Sequence, residues 1–176
     1  MRLFFAVWPD AALRKALTRW VQPALLQDAG GRGSASANLH LTLAFLGEIA
    51  ATRLPVLQTL AQRVAEAATA HDWLLDHTTV WKNGIGLVAG PCPTALARLA
   101  EGLKHALSDA GFAIEARRYR PHITLLRQGR PQPYQALESR LCLRVDHLAL
   151  VVSENGPQGV RYRTLFQVAF PPGPAA

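Results

Sequence analysis

Residues 38–47 read Asn-Leu-His-Leu-Thr-Leu-Ala-Phe-Leu-Gly, and residues 120–129 read Arg-Pro-His-Ile-Thr-Leu-Leu-Arg-Gln-Gly. Each stretch carries His-apolar-Thr-apolar inside a pattern that alternates like a strand. In a strand, side chains at i and i+2 point the same way. His40 and Thr42 therefore share one face, and His122 and Thr124 share another. A fold that brings the two faces together lines one groove with two imidazoles and two hydroxyls. Six His and ten Thr in 176 residues give about a third of one His-x-Thr by chance, before the apolar positions are required. One copy would carry little weight; two, each followed by a glycine (Gly47, Gly129), carry much more.

The composition is that of a single folded domain spanning residues 1–176, with 49% hydrophobic residues, 19 Lys+Arg against 12 Asp+Glu and a formal net charge of +7. A basic balance suits polyanionic partners such as nucleic acid or phosphate esters, and equally suits simple solubility. Two cysteines, Cys92 and Cys142, are too few and too unpatterned for a disulfide framework. They read as buried free thiols in a reducing cytoplasm. The apolar run Leu3 to Trp8 is ended by Pro9-Asp10 and lacks a cleavage pattern, so it reads as a first strand and not a signal peptide. No segment approaches bilayer-spanning length, and the only biased tract is the Pro-rich last few residues.

Along the chain, Arg2–Trp8 reads as a buried strand. Asp10 then caps a helix with apolar positions Leu13, Leu17, Trp20, Val21, Ala24 and Leu25, kinked or shortened by Pro23. Residues 29–37 read as a flexible loop and 39–46 as a strand. A helix over 52–69 follows, with Pro55 in its first turn and Leu57, Leu60, Ala61, Val64 and Ala68 on one face. Strands near 73–80 and 85–89 flank the turn signal Asn83-Gly84. Thr94 caps a third helix striped by Leu96, Leu99, Leu103, Leu107 and Ala110 and ended by Gly111. A short strand over 112–119, the second His segment at 122–127, a Pro-rich loop at 129–134 and two strands near 143–152 and 160–169 complete the chain. The last two are joined by a turn at Glu154-Asn155-Gly156-Pro157. The motif histidines lie about half a chain apart, which suggests a duplication with approximate two-fold symmetry.

The chemistry follows from residue type. In-line attack on a phosphodiester needs a base on the incoming oxygen and an acid on the leaving one. Two histidines can divide those roles near neutral pH. Thr42 and Thr124 can donate to the non-bridging oxygens as their charge grows. An arginine adds bidentate recognition of phosphate, with Arg120, Arg127 and Arg130 as candidates near the second motif. Phe45 faces either substrate or core. His71, His77, His105 and His147 lack a partner pattern and read as surface or packing residues. Zinc-type ligand spacing, a Gly-x-Ser-x-Gly turn and the lysine of a phosphate-binding loop are all missing from the sequence. The expected cofactor and metal set is therefore empty.

The paired motifs resemble those of the two-histidine phosphoesterase superfamily. The opening Arg2-Leu3-Phe4-Phe5-Ala6-Val7 and the closing Arg161-Tyr162-Arg163-Thr164-Leu165 are similar to its RNA 2′,3′-cyclic phosphodiesterase branch, historically called 2′-5′ RNA ligase. The resemblance implies an α+β, bilobal fold in which two intertwined, pseudo-two-fold duplicated lobes place antiparallel sheets, flanked by helices, around a central cleft. It implies metal-independent hydrolysis of RNA terminal 2′,3′-cyclic phosphate to a 2′-phosphate by a cytoplasmic, monomeric enzyme with no membrane partner. It gives His40 as the acid on the leaving 3′ oxygen, His122 as the activator of water, and Thr42 and Thr124 as phosphate holders. Arg127 matches a family phosphate contact, but simple alternation points a residue five places on away from the histidine. That carry-over requires the strand to end or bend before Arg127. The same four residues could serve 2′-5′ ligation or small cyclic or 2′-5′-linked nucleotides. A non-catalytic basic RNA-binding module would explain the charge but not two registered His-Thr pairs.

Overall fold

A computed structural model of the chain describes residues 1–157 and 159–171; the Pro-rich end at 172–176 lies outside them. The nine strands are β1 (Arg2–Val7), β2 (Arg32–Gly33), β3 (Leu41–Glu48), β4 (His71–Val80), β5 (Gly86–Ala89), β6 (Ile123–Arg127), β7 (Gln132–Val145), β8 (His147–Gly156) and β9 (Gly159–Ala169). The principal helices are α1 (Ala11–Ala16), α2 (Gln22–Ala29), α3 (Leu54–Glu66) and α4 (Thr94–Asp109). All strand pairings are antiparallel, in the order β7-β4-β5-β6-β3-β1-β8-β9, with β2 paired to β6.

The expected two sheets are one continuous sheet that divides into two lobes at the β3–β6 seam. One lobe is β3-β1-β8-β9 and the other β6-β5-β4-β7. Each inner pair is joined through helix, β1 to β3 by way of α1 and α2, β5 to β6 by way of α4. The lobes are not successive halves of the chain, because β8 and β9 come last in sequence yet build the first lobe.

A single residue pair, Leu41 with Ile123, registers β3 against β6. The sequence explains why the pairing stops there. Continuing one way meets Pro121, which has no N–H to give. Continuing the other way meets Leu125, whose carbonyl already accepts from the Ser34 N–H at 2.7 Å and the Gln22 Nε2 at 2.6 Å. Beyond it, β2 occupies the same edge of β6, with Gly33 opposite Leu126 and Arg32 opposite Arg127. Gly31 is required in that approach: a Cβ there would lie 2.5 Å from the Arg127 carbonyl oxygen.

One apolar core runs beneath both lobes, containing Leu3, Phe5, Val7, Leu41, Leu57, Leu103, Ile123 and Leu150. A second small cluster, Phe4, Ala6, Ala149 and Val151, packs on the opposite face of the first lobe with Trp8 and Tyr162. The stripes expected for α3 and α4 hold, with Leu57, Leu60 and Ala61 buried on one and Leu96, Leu99, Leu103 and Leu107 on the other. No described helix is long and apolar enough to cross a membrane.

Several expectations are corrected. Asp10 caps α1, accepting from the Leu13 N–H at 2.7 Å, but Trp20 is exposed and not in the stripe. A π-turn at Leu17–Val21, in which the Gln22 N–H donates to Leu17 O five residues back, rotates the helix face before Pro23. Thr94 is the first residue of α4, and no side chain caps that helix. Residues 112–119 form no strand. The stretch expected to loop at 129–134 includes the start of β7, where Pro133 is accommodated because β7 is an edge strand. Of the turn expected at 154–157, Glu154, Asn155 and Gly156 belong to β8 instead. Cys92 and Cys142 are free but exposed, not buried.

Candidate active site

The seam builds the site. With Leu41 opposite Ile123, one step either way along the antiparallel register sets His40 across from Thr124 and Thr42 across from His122. Directly opposed residues carry Cβ atoms ~5 Å apart. The four polar side chains thus occupy the corners of a square, with the imidazoles on one diagonal and the hydroxyls on the other. Leu41 and Ile123 point into the core while the four half-buried polar residues face the groove.

Both rings are oriented by one device. His40 Nδ1 lies 2.7 Å from Asn38 O, and His122 Nδ1 lies 2.8 Å from Arg120 O. A carbonyl only accepts, so Nδ1 carries the proton in each ring and Nε2 is the working nitrogen. His40 Nε2 sits 2.9 Å from Thr42 Oγ1; in the neutral ring the hydroxyl donates to it.

The two rings have different surroundings. His40 is enclosed by Phe4, Trp8 and Tyr162, at ring-centroid distances of 4.8, 5.7 and 5.1 Å. Trp8 is fixed by Nε1 donation to Thr164 Oγ1 and by backbone donation to His147 Nε2. Desolvation in this enclosure, aided by the positive charge of His122 and Arg127, lowers His40 to about 4, against a smaller raising effect of the Asn38 carbonyl. His122 packs edgewise on Trp81 at 4.9 Å. It too is pushed below the usual imidazole value, first by desolvation and then by Arg117, Arg120 and Arg127, with the Arg120 carbonyl opposing.

Arg127 acts on both histidines, and the backbone explains how. Leu87 pairs with Thr124 while Gly86 pairs with Leu126, so Leu125 is an extra residue in β6. This β-bulge shifts the alternation by one. Leu125 and Leu126 are both buried and Arg127 emerges on the Thr124 face. The bend that the resemblance required is present.

The same event occurs in the first lobe. Phe5 pairs with Ala44 and Ala6 with Thr42, which leaves Leu43 as the extra residue. Phe45, also five residues after its histidine, is turned outward and is 46% exposed. Of its two readings, the core is therefore excluded. The guanidinium of Arg2 lies 5.1 Å from its ring centroid.

Arg120 is exposed, its guanidinium 5.3 Å from the Trp81 ring centroid and its charge felt at His122. Arg130 instead donates to Asp28 O at 3.2 Å, at the end of α2. His77 pairs with Asp76 and stacks on Tyr134 at 4.5 Å, and His147 clamps Trp8; both are packing residues as expected. Sequence reasoning missed the enclosure of His40 and the role of Trp81 beside His122. The signal for Phe4 was strand alternation, which sets it opposite the core residues Leu3 and Phe5. No local signal placed Tyr162 or Trp81. The groups present suit proton transfer and anion binding. Among the described residues no cluster of His, Cys, Asp and Glu could hold a metal ion.

Comparison with known proteins agrees with this arrangement. The family model described as LigT like Phosphoesterase matches the chain twice, over residues 7–87 and 85–162, one match for each His segment. The RNA 2′,3′-cyclic phosphodiesterase of Escherichia coli K12 is 36% identical over 128 residues, covering 72% of this chain and 71% of that protein. The RNA 2′,3′-cyclic phosphodiesterase of Thermus thermophilus is 34% identical over 176 residues, covering 94% and 88%. The crystal structure of E. coli LigT complexed with 3′-AMP superposes with a TM-score of 0.86 at 30% identity, covering 96% of this chain and 97% of that one. By sequence and by fold, the chain belongs to the LigT-like phosphoesterases.

Proposed function

We propose that this protein hydrolyses the 2′,3′-cyclic phosphate at RNA ends to a 2′-phosphomonoester, using His40 and His122 as the proton-transfer pair. The observation that supports this reading is the Leu41–Ile123 register, by which His40 falls opposite Thr124 and Thr42 opposite His122. The curated relatives named for this activity support it.

In the reaction, a water oxygen bonds to phosphorus as the bond from phosphorus to the 3′ oxygen breaks. One Nε2 takes the proton of the water and the other gives its proton to the 3′ oxygen. Thr42 and Thr124 donate to the non-bridging oxygens, where charge accumulates. Thr42 swings its hydroxyl from His40 Nε2 to the phosphate as it does so. Arg127 supplies the counter-charge from the second lobe, with Arg120 at the groove's rim. The family resemblance gives His40 the acid role and His122 the base role. A ring held at about 4, first by desolvation and only then by His122 and Arg127, acquires its proton together with the anionic substrate, whose negative charge favours the imidazolium. The protein acts as a monomer in the cytoplasm, on RNA or oligonucleotide ends, without a cofactor.

The test is incubation with an oligoribonucleotide ending in 2′,3′-cyclic phosphate, followed by identification of the product isomer. A 2′-phosphate product from the wild type, and its loss in His40→Gln and His122→Gln, is expected. Tight RNA binding without turnover would replace this reading with that of a binding module.

A further inference from the structure

One wall of the His40 enclosure is held in place from β8. Trp8 follows the last residue of β1 and precedes Pro9, which has no N–H to continue a ladder. The pairing of β1 with β8 ends at Ala6 with Ala149, and two steps further on the same register sets Trp8 opposite His147. There the Trp8 N–H goes to a side chain: it donates to His147 Nε2 at 3.0 Å. A backbone N–H only donates, so Nε2 accepts and Nδ1 carries the ring's proton, which it gives to Asp146 Oδ1 at 2.7 Å. The carboxylate thereby fixes both the tautomer and the orientation of the imidazole.

The mount beneath this pair is firm. The Asp146 carbonyl accepts from the Phe170 N–H at 2.7 Å, and Val145 and Phe170 are both buried. Trp8 is gripped a second time through its indole N–H, which donates to Thr164 Oγ1 at 3.1 Å. With main chain and ring both tied, the indole stands edge-on to His40 at a centroid distance of 5.7 Å.

Building on the hydrolytic reading, we propose that Asp146 and His147 are positioning residues that hold Trp8 against His40 and so keep water from the ring that transfers the proton. They act through Trp8. The charges that act on His40 are those of His122 and Arg127, and the Arg14 guanidinium lies 5.9 Å from the Trp8 ring centroid. Replacing His147 leaves all three cations in place. A changed proton affinity of His40 in such a variant therefore reports water reaching the ring and not a lost charge.

The experiment follows the His40 ring by NMR through a pH titration, without substrate, in wild type, His147→Leu and His147→Gln. Leucine offers the Trp8 N–H no acceptor, whereas the glutamine side-chain carbonyl can accept in place of Nε2. In His147→Leu the midpoint of the His40 titration is expected to rise by about one pH unit, a tenfold gain in proton affinity, and His147→Gln to restore it. The limb of the kcat/KM profile governed by His40 moves up with it. An unmoved midpoint in His147→Leu, or an equal rise in His147→Gln, overturns the positioning role and leaves the hydrolytic reading intact. A midpoint that rises in a protein without turnover, or with no matching move in kcat/KM, keeps the clamp on His40 and overturns the proton-transfer reading. If His147→Leu does not fold, Asp146→Ala carries the test, since that side chain is 51% exposed. Its His40 midpoint is expected to rise as well, and an unmoved one overturns the clamp.

Discussion

The side-chain amide of Gln22 donates to the main-chain carbonyl of Leu125 across 2.6 Å, joining α2 to the bulged residue of β6. That carbonyl belongs to the residue whose displacement turns Arg127 into the groove. Gln22 also donates to Ser34 O at 2.9 Å, so one side chain fixes both the bulge and the strand lying beside it. Exchanging Gln22 for Met keeps the length and removes both bonds. The expected cost is about 1–2 kcal/mol in urea unfolding, with KM raised by the looser aim of Arg127. A variant with wild-type stability and wild-type KM would show that the bulge holds itself.

His40→Gln and His122→Gln should each lower kcat by about 10²–10⁴ with near-native circular dichroism at pH 7. The double variant should be little worse than either single one, because the two rings serve one concerted transfer. Steady-state kinetics decides this, and multiplicative losses would mean that the rings act independently.

The depressed value of His40 couples stability to pH with a definite sign. The unfolded chain carries this ring at the ordinary imidazole value near 6.5, the folded one at about 4. Between those values the unfolded state binds the extra proton. Native stability contributed by this ring is fully present above about pH 6.5 and is lost as pH falls toward 4. Thermal unfolding between pH 7 and pH 4.5 should fall more steeply for wild type than for His40→Gln. Parallel curves would show that the enclosure of Phe4, Trp8 and Tyr162 leaves the ring hydrated.

The same depression predicts proton uptake on binding. If His40 is the acid, 2′-AMP binding at pH 6 should take up protons, seen as a calorimetric enthalpy that varies with the buffer's ionisation enthalpy. The uptake should shrink in His40→Gln. Uptake that persists there and vanishes in His122→Gln would exchange the two roles.

Activity should be insensitive to EDTA, because the proton transfers and charge stabilisation are assigned to His40, His122, Thr42, Thr124 and Arg127. Loss of turnover with chelator, restored by a divalent cation, would require a different mechanism.

The short-range features were legible in the sequence because they depend on neighbours along the chain. Alternation placed His40 with Thr42 and His122 with Thr124, and helical spacing found the buried faces of α3 and α4. The second lobe's membership was less legible. Gln132 to Val145 is a strand because β4 pairs with it, although its first residues look like a Pro-rich loop. Trp20 turned outward because it lies inside the π-turn that begins at Leu17, a feature that periodicity assumes away.

What the residues determined alone was the chemistry available: two imidazoles with fixed partners in sequence, two hydroxyls and a surplus of arginine. What only the folded chain decided was their mutual placement. Pro121 and the captured Leu125 carbonyl confine the β3–β6 seam to a single pair, and two bulges aim Phe45 and Arg127. Those outcomes rest on hydrogen bonds between segments far apart in the chain, such as Gln22 to Leu125 at a separation of 103. A one-residue change in strand register inverts which face a side chain occupies, and no local pattern in either segment encodes it.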